Sequence, residues 1–281
     1  MLKMKPLRES LLDDDLIGKT DNMIKDEIEA FLKENYKGSI KISRKPNADG
    51  KYEISSTKDI DVISKNITSL TNGMFIWATV DGYFRVVSCN YLKSLDGSPK
   101  KVGGDFYCYG CNSLTSLKGA PEKVGWDFNC SDCKSLKSLE GAPKEVGGSF
   151  YCGYCKSLIS LDGAPKSVAS EFNCSNCIKL TSLKGAPQKV NDFVCAHCIG
   201  LKSLEGAPKE TTNKFICSSC ESLTSLKGIS KTAKVIDASD NVNLKSLDGL
   251  PEEADYVWVP KHFTEDDVRK ICKVRDHVVS Y

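Results

Sequence analysis

The sequence is poor in the features from which a function is most often read. Its charges nearly cancel, with 39 Lys and Arg against 37 Asp and Glu. The two signs are mixed along the chain, so the one-signed field that a nucleic-acid or membrane-surface partner calls for is missing. Long apolar runs are missing too: the longest, Met74 to Val80, contains Thr79 and falls far short of the roughly 20 residues that span a bilayer. The opening MLKMKPLRESLLDDDL has no continuous apolar stretch of the export type and soon turns acidic at Asp13, Asp14 and Asp15. A soluble, cytoplasmic protein is expected. Histidine is scarce, and His197, His262 and His277 fall in unrelated positions. No nucleophile–base pair or glycine-rich phosphate loop recurs, so no enzymatic activity and no cofactor are expected.

What the chain has in abundance is repetition. Phe106, Phe128, Phe150 and Phe172 are spaced by 22 residues, Phe193 follows after 21, and Phe215 after 22. A fixed period of this length marks a solenoid, in which each unit buries its apolar face only by stacking on its neighbours. The series extends outward in both directions. Phe84 and Val86 align with Phe106 and Cys108, while Ile236, Ala238 and Asn241 take the same slots near the other end. Strands from Ile60 to Val257 trace about nine turns of such a coil.

The flanks read differently. Residues 1–20 form a leader or docking segment, with Leu7, Leu11, Leu12, Leu16 and Ile17 at helical spacing around the acidic run. Residues 21–58 form a small α+β cap. In it a helix starts at Thr20 or Asp21, carries Ile24, Ile28, Phe31, Leu32 and Tyr36 on one face and ends at Gly38. A hairpin of Ser39–Ser43 with Lys51–Ser55 follows, turning at Asn47-Ala48-Asp49-Gly50. The solenoid occupies 59–260. Over 261–281, Thr264-Glu265-Asp266-Asp267 resembles a capping box and predicts a closing helix carrying Val268, Ile271 and Cys272.

The repeat FxCxxCxxLxxLxGxPxxV resembles the leucine-rich-repeat consensus, with Phe106 and Cys108 as inward strand residues and Cys111 in the Asn/Cys slot. It is also similar to short repeat proteins of bacteria and their phages, whose units carry a SLxSLxGxP…VGG phrase. It departs from the consensus by one extra residue between Cys111 and Leu114, and by four rather than three residues from Val124 to Phe128. The resemblance implies an α/β-type repeat: a right-handed leucine-rich-repeat solenoid with a parallel β-sheet on its concave face, in the host cytoplasm if phage-encoded. Gly119 and Pro121 oppose helix formation, so the convex side is expected to be extended or irregular.

The 14 cysteines pose a choice. Cys108-x2-Cys111 and Cys130-x2-Cys133 have zinc-ribbon spacing, which makes a zinc-binding or redox CxxC repeat protein one alternative. The outer repeats argue otherwise, because Val86 and Ala238 stand in the first slot and Asn241 in the second. A reduced, buried thiol ladder with no metal is therefore expected. Residues flanking the inward strand positions point out of the sheet. They give the candidate partner-binding residues Tyr83, Arg85, Asp105, Tyr107, Asp127, Asn129, Tyr151, Glu171, Asn173, Asp192, Val194 and Ile216. Tyrosines and amides with an acidic edge suit a protein surface, so a non-enzymatic scaffold binding an unidentified protein is expected, with no nucleic-acid or membrane partner. A structural or virion-associated spacer attached through the leader is the other alternative. The column Asp96, Lys118, Glu140 and Asp162 reads as a solubilising charge ladder.

Overall fold

The computed structural model describes residues 21–63 and 65–280. The leader 1–20, and with it the docking and attachment roles expected of it, lies outside the described residues.

The repeating sentence folds as stacked turns. The main sheet has twelve strands, beginning with Tyr36–Gly38, which runs antiparallel to Ile60–Val62, and continuing in parallel to Glu253–Val259 and Lys273–Ser280. Its parallel part encloses about ten turns. In the middle turns each strand is only two or three residues long, as in Phe106–Tyr107, Phe128–Asn129 and Glu171–Asn173. Strands so short are stable because every turn repeats the same inward side chains. Phe84, Phe106, Phe128, Phe150, Phe172, Phe193 and Phe215 are fully buried and stack ring on ring, with centroids 5.1–5.8 Å apart. That spacing follows the strand separation of a β-sheet closely, so the sheet and the stack impose the same rise per turn. Leu114, Leu117 and their equivalents fill the other side of the core.

Two corners shape each turn. The residue just before the second cysteine adopts a left-handed backbone in turn after turn: Ser88, Gly110, Asp132, Tyr154, Asn176, His197, Ser219 and Asp240 have φ between 55° and 71°. This sharp reversal lets both cysteines of a CxxC pair lie in the core. Gly, Asp and Asn tolerate it, whereas Tyr154 and His197 hold it at a cost of about 1–2 kcal/mol each. At the second corner Gly119 has φ +87°, and a Cβ there would overlap the Asp96 amide nitrogen of the preceding turn. The expected task of this glycine was to prevent a helix; its structural task is close approach between turns.

The side expected to be irregular carries a second sheet. Lys101–Val102, Lys123–Val124 and Glu145–Val146 pair in parallel, and Phe75–Val80 and Tyr52–Ser56 extend the ladder to the hairpin strand Lys41–Ile42. Val102, Val124 and Val146 point inward and the charged residues before them outward. The ladder then breaks. Ser167 bridges onward to Lys189, and Lys189–Val190 pairs with Glu210–Thr211 as a separate two-stranded sheet.

The ends are closed unequally. Helix α1 (Asp21–Asn35) buries Ile28 and Leu32 over the first turns. Tyr36, expected on the helix, instead opens the first strand, and its hydroxyl donates to the Leu70 carbonyl. Around it Phe31, Phe75, Trp77 and Phe84 form a cluster with centroids 5.4–6.3 Å apart. At the other end the expected capping helix is confined to α2 (Glu265–Arg269), which Thr264 and Asp267 cap reciprocally as the sequence indicated. From Lys273 to Ser280 the chain is a strand on Glu253–Val259. An edge of unpaired backbone groups was available there, and Val274, Val278 and Val279 favour the pleated form; Arg275 pairs with Glu253 at 2.5 Å. No helix of the described residues is long and apolar enough to cross a membrane.

Candidate functional site

The candidate partner-binding residues all lie on or beside the main sheet, in two columns. One runs from Arg85 through Tyr107, Asn129, Tyr151, Asn173 and Val194 to Ile216, each paired in register with the next. It continues to Asp237 and Trp258, which sequence reasoning missed. The alternation of Val257, Trp258 and Val259 would have revealed Trp258 as outward-facing. The second column comprises Tyr83, Asp105, Asp127, Ser149, Glu171, Asp192 and Lys214.

The carboxylates of the second column have a structural task. Asp105 Oδ1 accepts the Asp127 amide at 2.8 Å, Asp127 Oδ1 accepts the Ser149 amide at 2.7 Å, and Asp192 Oδ1 accepts the Lys214 amide at 3.0 Å. Each thus satisfies a backbone donor one turn further on, where the chain enters the strand. Tyr107 donates its hydroxyl to Asp105 Oδ2 at 2.8 Å, and burial, with that acidic neighbour second, pushes its pKa up to about 12. Near the N-terminal end Arg85 Nε meets Asp61 Oδ1 at 2.5 Å, its guanidinium carbon lies 5.2 Å from the Tyr83 ring centre, and Tyr83 donates to Asp61 Oδ2 at 3.2 Å. In the first column Asn129 and Asn173 accept the amides of Ser131 and Ser175 at 2.9 and 3.0 Å, which locks the exit from their strands.

Behind this face runs the thiol ladder. All 14 cysteines are buried and none is in a disulfide. In the second slot Cys111 donates to the Val86 carbonyl at 3.0 Å, and Cys133, Cys155, Cys177, Cys198 and Cys220 donate to the first-slot cysteine of the turn before at 3.2–3.3 Å. Asn241 does the same for Cys217 at 3.0 Å, and in addition accepts the Cys220 amide at 2.7 Å. Asn241 also donates to the Ala238 carbonyl at 2.9 Å, so a thiol with one weak donor makes one of the three bonds the asparagine makes. Burial pushes the pKa values of Cys130, Cys152, Cys155, Cys177 and Cys217 up, which keeps them protonated at neutral pH. Among the described residues no three His, Cys, Asp or Glu side chains are grouped to hold a metal ion. His197 lies exposed at its left-handed corner.

The inter-turn ion pairs do not follow the expected column of Asp96, Lys118 and Glu140. Among the described residues they lie on the second sheet at Lys123–Glu145 (2.5 Å), on the two-stranded fragment at Lys189–Glu210 (3.0 Å) and near the ends of the main sheet at Arg85–Asp61 and Arg275–Glu253 (both 2.5 Å), where paired strands hold the side chains side by side.

Fold and surface together define a stacked parallel β-solenoid with a period near 22 residues and a regular ladder of buried cysteines. Comparison with protein-family models, with curated proteins and with solved structures finds no match for this chain.

Proposed function

We infer that this chain is a non-enzymatic, protein-binding scaffold of the leucine-rich-repeat kind, and that its partner lies on the outward face of the main sheet. The observation that carries the reading is the unbroken register from Arg85 to Ile216, which sets tyrosines, amides and finally apolar side chains in one line on a rigid support. Tyrosine supplies contact area at low entropic cost, and a support held by backbone ladders loses little freedom on binding. Tyr107, Tyr151 and Ile216 are half-buried, so part of each side chain is open to a partner. The test is capture of the native partner by immobilised protein. Replacing Tyr107, Tyr151 and Ile216 with glutamate is expected to weaken it by at least about tenfold while the circular dichroism of the chain is retained. Undiminished capture by the folded variant would remove this face from consideration.

A further inference from the structure

The near-neutral charge of the whole chain conceals an acidic stretch on one face. On the outward side of the main sheet the regular turns carry Asp105, Asp127, Glu171 and Asp192, with Lys214 only at the turn after them. The leucine-bearing side is mixed, with Lys134, Lys137, Lys156 and Lys179 beside Glu140 and Asp162. Among the described residues Asp105, Asp127, Glu171 and Asp192 have no cationic partner, although each is held in place by hydrogen bonds within the sheet or faces one of its tyrosines or amides.

One cation on this face shows how its chemistry works. Arg85 is held in the plane by Asp61 and from the side by the ring of Tyr83, so a carboxylate and a tyrosine together seat a guanidinium. One turn further on a carboxylate and a tyrosine again sit together as Asp105 and Tyr107, with the columns exchanged: Asp105 follows Tyr83, and Tyr107 follows Asp61 and Arg85. The neighbouring Trp126, 67% exposed between Gly104 and Gly148, adds a second ring at the edge of the same acidic column.

Resting on the binding-face reading above, we propose that the partner presents arginine side chains on an extended polypeptide segment that crosses several turns, with its guanidinium groups seated between the carboxylates and the rings of Tyr107, Tyr151 and Trp126. Successive turns are about 4.8 Å apart along the sheet, and all but the Ser149 turn of this stretch bring a carboxylate, so a flexible arginine finds one within reach. Because backbone amides already fix Asp105, Asp127 and Asp192, little side-chain freedom is lost when a cation arrives. Arginine is favoured over lysine because only its planar group both pairs with a carboxylate and stacks on a ring.

The experiment is fluorescence anisotropy of the full chain with labelled octapeptides of alternating Arg-Gly, Lys-Gly and Gln-Gly. The Arg-Gly peptide is expected to bind about fivefold or more tighter than Lys-Gly, to weaken steeply with salt, and Gln-Gly to bind not at all. In the Asp105→Asn, Asp127→Asn, Asp192→Asn triple variant the amide oxygens still accept the backbone N–H groups, so the fold stays and Arg-Gly binding is expected to fall at least about tenfold. Equal binding of Gln-Gly, or an unchanged affinity in the folded triple variant, would overturn the proposal. So would sedimentation showing that the chain's own leucine-bearing side occupies this face in a second copy. If the glutamate variant loses the native partner while Arg-Gly fails to bind the wild type, the binding face stands and only its cationic occupant falls.

Discussion

The main sheet runs unbroken through twelve strands, whereas the second sheet stops at Val146 and resumes as a fragment at Lys189. Both are built from strands of two or three residues in the middle turns, so length does not separate them. The main sheet is held from behind by side chains that repeat in size and kind: a phenylalanine stack and thiols that donate to the previous turn. The second sheet has one inward valine per turn and, at Gly125 and Gly147, no room for a side chain next to it. A Cβ at Gly125 would overlap the Gly103 carbonyl oxygen, and one at Gly147 the Gly125 carbonyl oxygen. At the next turn the slot holds Ala169, and there the ladder breaks. The slot is not closed to side chains everywhere, since Asp81 and Thr212 occupy it and their amides still donate to the Ser56 and Val190 carbonyls at 2.9 and 3.2 Å; the break falls where the first side chain follows the close-packed glycines.

The largest expected effect attacks the bulk side through its thiols. Burial raises the folded pKa values of Cys130, Cys152, Cys155, Cys177 and Cys217 above the unfolded value near 8.5, so their contribution to stability is complete below about pH 8.5 and is lost as pH rises toward the folded values. Each of Cys130, Cys152, Cys155, Cys177 and Cys217 adds a slope of up to about 1.4 kcal/mol per pH unit in that range. Urea unfolding under reductant at pH 7.5, 8.5 and 9.5 reads it directly. A midpoint that stays level to pH 9.5 would mean that the ladder is not a row of buried, protonated thiols.

Next comes a matched pair of truncations at the turn where the sheets part company. Phe172 lies in the stack, 5.3 Å from Phe150 and 5.6 Å from Phe193, and Phe172→Ala is expected to cost about 3–5 kcal/mol. Val168 sits beside the break, and Val168→Ala is expected to cost about 1–2 kcal/mol, little more than the transfer of its lost methyl groups. Equal losses in denaturant unfolding would show that the second sheet bears as much of the stability as the first.

The same contrast explains what could be read in the sequence. The phenylalanine period, the inward thiols and the two outward columns were legible because each recurs at a fixed interval and alternates across a strand, as Phe128, Asn129 and Cys130 do. Asn241 in a cysteine slot even disclosed the kind of inter-turn hydrogen bond the ladder makes. The second sheet was not legible, since Lys123–Val124 is too short to alternate and its pairing depends on what the next turn brings alongside. The left-handed corner was half legible: Gly110, Asp132, Asn176 and Asp240 are residues that accept it, but Tyr154 and His197 obscure the column. Tyr36 and Lys273–Ser280 were misassigned for a tertiary reason, because in both places an open strand edge captured residues whose local spacing fits a helix. The second task of Asp105 and Asp127, holding amides one turn away, exists only after stacking.

The smallest effect on stability tests whether Ala169 is what interrupts the second sheet. In the intact ladder the Gly125 and Gly147 amides donate to the Val102 and Val124 carbonyls at 2.9 and 3.0 Å; among the described residues no such bond joins Ala169 to Val146. Ala169→Gly removes the methyl group at the break, and the amide of the substituted residue is then expected to donate to the Val146 carbonyl. The bond is worth about 0.5–1.5 kcal/mol, and the added glycine costs about 0.5–1 kcal/mol of chain entropy, so the global midpoint should hardly move. Hydrogen exchange, which reports local opening, should instead show new protection at position 169. The opposite substitution, Gly125→Ala, should cost about 1–3 kcal/mol by overpacking and extend the break toward the N-terminal cap, with protection lost at residues 124–126. Protection at position 169 that does not change in Ala169→Gly, alongside a harmless Gly125→Ala, would show that the interruption comes from the shortened unit that follows, Val190 to Phe193, and not from the methyl group.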